Sequence, residues 1–259
     1  MSVRPKKHLG QHFLKDESVC VRIADNIFVD NCPKHILEIG PGTGALTKYL
    51  LDKEDFDVHV MEIDEESVDY LYQNYTQLNG KIHFADFLKS DPTQLFDEPF
   101  AVVGNFPYNI SSQILFKVVD FKDHIPLVVG MFQKEVAERV AEKPGSKKYG
   151  IISVLIQAWY DVEYLFTVDE HVFIPPPKVK SGVIRLTRNG VNELPCDEKM
   201  FIRVVKAAFN QRRKTLRNSL KQIISELNSS IDTTDDFFQK RPEHLSVQDF
   251  ILLTQRLMA

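Results

Sequence analysis

The stretch His35-Ile36-Leu37-Glu38-Ile39-Gly40-Pro41-Gly42-Thr43-Gly44 decides the fold. Its first half is a short apolar run with β-branched residues, the pattern of a buried strand. Its second half places glycine at 40, 42 and 44, where a chain can turn sharply and let a ligand approach the backbone. A helix with Leu46 and Leu50 turned inward is expected next. Strand, glycine turn and helix in that order open an α/β domain with a mainly parallel sheet.

Working outward, further strands are predicted at 57–63, 81–85, 100–104 and 126–131, with two more near 162–168 and 182–187. Between them the sequence predicts a helix with Val68, Leu71, Tyr72 and Tyr75 on one face. Another carries Phe132, Val136 and Val140 spaced by four, and a third covers 151–160. After Arg188 the composition shifts. Asn189-Gly190 and the polar residues up to Cys196 read as a linker, and the remainder of the chain lacks strand-like alternation. The expected organisation is a domain over 1–188 and a small helical domain over 189–259.

The chain has 259 residues, 43% hydrophobic and 26% charged, which excludes a disordered or collagen-like polypeptide. No apolar run approaches the ~18 to 20 residues of a membrane-spanning helix. The first residues carry Arg4, Lys6, Lys7 and Lys15 without an apolar centre, so no secretory leader and no membrane partner are expected. Cys20, Cys32 and Cys196 are widely spaced and lack a zinc pattern. Neither a disulfide framework nor a metal site is expected, and a cytoplasmic location follows. The net charge of −4 decides little about partners, because phosphate responds to a local patch. Arg203, Lys206, Arg212, Arg213, Lys214, Arg217 and Lys221 follow one another without an intervening acid, and Arg203, Lys206, Asn210, Arg213, Lys214, Arg217 and Lys221 recur at three- and four-residue spacings that predict one polar face of a helix.

The glycine spacing is G-x-G-x-G, which departs from the G-x-G-x-x-G of dinucleotide enzymes and suits the methionine part of S-adenosylmethionine. Glu62, 22 residues past Gly40, ends the second strand, where a carboxylate can accept ribose hydroxyls. Asp86 ends the third, within reach of an adenine amino group. Each acid alone is an ordinary loop residue. Together they fall at successive strand ends, where open α/β sheets bind ligands. Asn105-Phe106-Pro107-Tyr108 follows the fourth strand. An exocyclic base amine is a poor nucleophile because its lone pair is delocalised into the ring. Two acceptors on its N–H groups, the Asn105 side-chain carbonyl and the Phe106 main-chain carbonyl, would free that pair, with Tyr108 stacked on the base.

Five blocks in order carry a resemblance: Gly10-Gln11-His12-Phe13-Leu14, the glycine turn, Gly104-Asn105-Phe106-Pro107-Tyr108-Asn109-Ile110-Ser111, Phe173-Ile174-Pro175-Pro176-Pro177-Lys178-Val179, and Phe209 through Arg217. Together they resemble the ribosomal RNA adenine N6,N6-dimethyltransferases, in particular the branch acting on 16S RNA. The resemblance implies a Rossmann-like methyltransferase sheet and S-adenosylmethionine as donor, without a metal. It also implies two adjacent adenosines of small-subunit RNA as substrate, with a part in subunit biogenesis. Carried over by position, it makes His12, Leu14, Gly40, Glu62, Asp86 and Asn105 cofactor contacts, and Asn105, Phe106 and Tyr108 catalytic. Phe173 would face the base opposite Tyr108, and Arg212, Arg213, Lys214 and Arg217 would hold RNA. His12 stands where relatives often have asparagine, and Phe106 where leucine or isoleucine is common. A monomer is expected. Rival readings are the branch that dimethylates large-subunit RNA, an assembly factor in which catalysis is secondary, and an NAD dehydrogenase. The Arg212-to-Arg217 block and the glycine spacing weigh against the first and the last.

Overall fold

A computed structural model describes residues 3–259 and groups them into two compact units. The first holds the chain up to Glu138 together with Asp161–Arg188, and the second holds Arg139–Tyr160 and Asn189–Ala259.

The first unit is built on a seven-stranded sheet. Its strands are β2 (His35–Ile39), β3 (Asp57–Glu62), β4 (Ile82–Phe84), β5 (Phe100–Asn105), β6 (Leu127–Gln133), β7 (Tyr160–Val168) and β9 (Ser181–Arg188), in the order β4-β3-β2-β5-β6-β9-β7. From β4 to β6 all neighbours run parallel, and β9 is antiparallel to β6. Such strands bury both faces, which is why Ile36 to Ile39 and Phe100 to Gly104 are continuous buried runs. The chain moves outward from β2 to β3 and β4, then returns to β5 on the other side of β2. That reversal opens a crevice at the carboxyl ends of β2 and β5, where the glycine turn and the Asn105 turn both begin. Helices α2 (Thr47–Leu51), α3 (Glu65–Asn74) and α4 (Ser111–Asp120) connect the parallel strands. Leu46, Leu50, Val68 and Leu71 are buried as expected, whereas Tyr72 is exposed.

Two features went unpredicted. The N-terminal arm forms a two-residue strand β1 (Phe13–Leu14), antiparallel to β8 (Phe173–Ile174), followed by α1 (Glu17–Asp25). Phe132 also differs from expectation: it lies in β6, because the ladder with β9 continues through Phe132 opposite Gly182 and Gln133 opposite Ser181. Helix α5 starts only at Lys134 (Lys134–Ala141).

The second unit comprises α6 (Ile151–Gln157), α7 (Glu198–Asn210), α8 (Leu216–Ser219), α9 (Lys221–Glu226) and α10 (Val247–Met258). The change at Arg188–Asn189 coincides with one of its edges, but residues 139–160 join it too, although sequence composition groups them with the strands. Their aromatic rings explain this: Trp159 meets Phe201 edge-on at 6.0 Å, and Tyr149 meets Phe209 at 6.2 Å. Helix α6 ends before Tyr160, which opens β7. The expected single helix over the basic run is broken after Asn210 by a turn through Thr215.

Gly104 and Gly130 face each other across β5 and β6 and leave a slot for the Phe106 ring. A Cβ on Gly130 would fall 2.0 Å from that ring, and one on Gly104 would fall 2.7 Å from the Ile39 carbonyl. Gly130→Ala should therefore cost about 1–3 kcal/mol as an overpacked core site. Urea unfolding measures it, and a neutral result would mean the ring has room to move.

Candidate functional site

One cleft of the first unit is walled by residues of the arm and of the turns after β2, β3, β4 and β5. His12, Leu14, Gly40, Glu62, Asp86, Asn105, Phe106 and Tyr108 all line it. The same wall contains three acidic residues, Glu38, Glu62 and Asp86, and, among the described residues, no lysine or arginine.

The glycine turn takes left-handed backbone angles, with φ of 68° at Gly40, 56° at Gly42 and 81° at Gly44. At two of these glycines a side chain would also collide. A Cβ on Gly42 would lie 2.9 Å from the Phe13 ring of the arm, and one on Gly44 would lie 2.5 Å from Tyr75. Gly40 differs, since its nearest atom beyond chain neighbours would be Pro107 at 3.9 Å, which leaves its backbone open to the cleft.

Glu62 is buried and accepts three main-chain N–H bonds, from Gly42 at 3.0 Å, Ile63 at 2.8 Å and Asp64 at 2.9 Å. Burial pushes its carboxyl above the usual range, and those donors work against the shift. Glu38 is a wall residue to which the sequence pattern assigns a place in the strand and no other role. It is fully enclosed, accepts a 2.6 Å bond from the Thr47 hydroxyl, and is pushed up to about 8 by burial, an effect the Thr47 bond only partly offsets. The Glu62 charge adds to that rise. Asp86 accepts from the Leu88 N–H at 2.9 Å and lies 3.3 Å from the Lys89 ammonium.

Asn105 ends β5 with its carboxamide nitrogen donating to the His12 carbonyl at 2.9 Å. That bond orients the amide and leaves its oxygen as the acceptor. The His12 imidazole donates through Nδ1 to the Pro175 carbonyl at 2.7 Å and stacks on Tyr108 with ring centroids 5.4 Å apart. The Tyr108 hydroxyl bonds with the Ser181 hydroxyl, and burial raises its pKa. The arm is also tied down at Asp64, which is buried. Lys6 pairs with it, and Gln11 Nε2 donates to it at 3.1 Å. No sequence motif flagged that anchor, because it joins residues 58 positions apart.

Phe173 is not brought to the cleft. It is 1% exposed, pairs with Leu14 in the β1–β8 ladder and belongs to the apolar core, so the expected sandwich with Tyr108 is not assembled in this structure. In the second unit, Arg213, Lys214 and Arg217 are exposed as expected, whereas Arg212 is half-buried and donates to the Ser146 carbonyl at 3.1 Å.

A sequence-family model described as "Ribosomal RNA adenine dimethylase" matches residues 3–246. The ribosomal RNA small subunit methyltransferase A of Flavobacterium johnsoniae is 60% identical over 259 residues, covering 99% of this chain and 97% of that protein. Among solved structures, a dimethyladenosine transferase from Plasmodium falciparum has a TM-score of 0.75 at 25% identity, covering 93% of this chain and 96% of that one. The 23S rRNA methyltransferase ErmE follows at 0.64 and 26%, covering 94% and 99%. With nearly its whole length matched and a Rossmann-like sheet followed by a helical C-terminal part, the chain belongs to the ribosomal RNA adenine dimethylase family.

Proposed function

We propose that this protein is a cytoplasmic 16S rRNA (adenine-N6,N6)-dimethyltransferase. It uses S-adenosylmethionine, acts as a single chain on two adjacent adenosines near the 3′ end of small-subunit RNA, and so contributes to subunit biogenesis. The observation that carries the reading is the orientation of Asn105, whose amide nitrogen is held by the arm while its oxygen remains to accept from a base amine.

The cleft fits the donor by charge. A sulfonium and an ammonium suit a wall that carries the Glu62 and Asp86 carboxylates and, among the described residues, no lysine or arginine, whereas the pyrophosphate of NAD would be repelled there. Glu62 would accept from the ribose, Asp86 from the adenine amino group, and the open backbone at Gly40 would face the methionine part, with His12 and Leu14 closing the arm side. When bound, the donor supplies a methyl group already activated as a sulfonium, so the proposal needs no metal. Asn105 and the Phe106 carbonyl would grip the amine of an extruded adenine and localise its lone pair. Tyr108 would contact the ring. Arg213, Lys214 and Arg217 would hold neighbouring phosphates.

Three measurements test this reading. Labelled-methyl transfer to unmethylated small subunits should yield N6,N6-dimethyladenosine, and purified large-subunit RNA should not. In that assay Asn105→Ala should lower turnover about 10²–10³-fold, the usual effect of losing one preorganised transition-state contact, with donor affinity little changed. Normal turnover would remove Asn105 from the chemistry. Joint replacement of Arg213, Lys214 and Arg217 by alanine should flatten the salt dependence of RNA binding by about 2 to 3 units of log–log slope.

A separate prediction concerns Glu38. Its folded value of about 8 lies above the ordinary 4.5, so across that window the native state keeps a proton that the unfolded chain has lost, and stability falls as pH rises. The stability of Glu38→Gln should gain on the parent between about pH 5 and pH 8 and converge with it near pH 4. Parallel urea-unfolding profiles would mean that Glu38 ionises normally.

A further inference from the structure

We infer that Arg212 is a positioning residue, and that it joins the lysine-bearing loop 143–148 to the basic turn so that both segments form one phosphate-binding surface. The inference rests on the RNA-contact reading above and adds to it a segment far away in sequence.

The contacts all lie within the second unit. Arg212 is half-buried between the exposed Gln211 and Arg213. Its Nη2 donates to the Ser146 carbonyl at 3.1 Å, and its Nε stands 3.9 Å from Oε2 of Glu243, an oxygen enclosed without a hydrogen bond. The main-chain carbonyl of Glu243 accepts the Gly145 N–H at 2.7 Å. Glu243 thus grips the loop through its backbone and Arg212 through its carboxylate, while Arg212 grips the loop directly.

Two consequences follow from the chemistry. A guanidinium engaged inward by a main-chain carbonyl and an enclosed carboxylate oxygen would have to give up those partners to hold a phosphate. A planar fork can bridge such a pair, whereas the compact ammonium of lysine cannot. The loop itself exposes Lys143 and Lys147, so fastening it beside the turn extends the cationic surface of Arg213, Lys214 and Arg217. Arg212 therefore differs in role from its two neighbours, although the sequence presents all three as one basic run.

The test uses the full-length protein and unmethylated small subunits, reading binding against salt concentration and amide hydrogen exchange over 143–150. Replacing Lys143 and Lys147 together by alanine should lower the salt slope by about 1.4 to 1.8, the share of two phosphate contacts. Arg212→Lys keeps the charge, yet it should speed exchange in the loop and weaken binding about ten-fold or more, as loss of an inward ionic contact does. Glu243→Gln gives a second route, since it removes no cation and makes the net charge less negative. Faster loop exchange and weaker binding there support the clamp, and tighter binding overturns it. Arg212→Lys with parental exchange and affinity also overturns it, as does an unchanged slope in the lysine variant. If the Arg213, Lys214 and Arg217 variant keeps the parental slope as well, the RNA-contact reading itself has failed, and the loop is not the cause.

Discussion

The Phe106 ring seated against Gly104 and Gly130 fixes more of this protein than any other single contact. Two facing glycines in adjacent parallel strands would ordinarily weaken a sheet, because they add chain entropy and offer no side chain to pack. Here the space they leave is filled by a ring that also meets Phe132, 4.9 Å away. The Phe106 N–H donates to the Met131 carbonyl at 3.1 Å, so the first turn residue is held by both its side chain and its main chain. The carboxamide of Asn105 immediately precedes that anchor. Its position is therefore set by core packing, which is rigid, and not by a loop free to relax.

The cleft carries the opposite kind of constraint, an arrangement unfavourable on its own. Glu38 and Glu62 are both enclosed and both shifted upward by burial, and the Glu62 charge adds to the cost of charging Glu38. A fold selected for stability alone would replace at least one of them with an apolar or neutral residue. Their retention makes sense if the cleft is completed by a cation. Local violations of folding rules concentrate where function requires them. Gly42 serves the same end, since a side chain there would strike the Phe13 ring, which lines the wall.

Much of this was legible in the sequence. The buried runs of β2, β5 and β6 announced a parallel sheet because both their faces are covered, and the turn residues at the ends of β2 and β5 line the cleft. What escaped had physical reasons. Phe132 has helical spacing to Val136 and Val140, yet the β6–β9 ladder claims it, and pairing outweighs local periodicity. Residues 139–160 lack the composition of the C-terminal helices, but Tyr149 and Trp159 pack against α7. Phe173 carried a functional expectation drawn from resemblance, while its ring lies in the core beside Leu14. Arg212 is indistinguishable from Arg213 in a string of letters, and only the distances to Ser146 and Glu243 separate them. Sequence patterns report faces and turns. They do not report which of several like charges points inward.

The arm shows how such remote contacts reach the chemistry. An amide side chain has two nearly isosteric ends, and only its oxygen can accept from a base amine. Nothing in β5 itself dictates which end faces the cleft. The choice is made by the His12 carbonyl, which accepts from the nitrogen, and His12 is in turn held by Pro175 and stacked on Tyr108. Further back, Lys6 and Gln11 fasten the arm to Asp64 at the entrance of α3. The orientation of one carboxamide therefore depends on a chain of contacts that begins in the first dozen residues, crosses the cleft and ends in the proline loop. An arm that detached would leave every cleft acid in place and still lose the group that selects the reactive end of Asn105. Binding and orientation thus draw on different parts of the structure: the sheet's own turns supply the first, and the arm laid across them supplies the second.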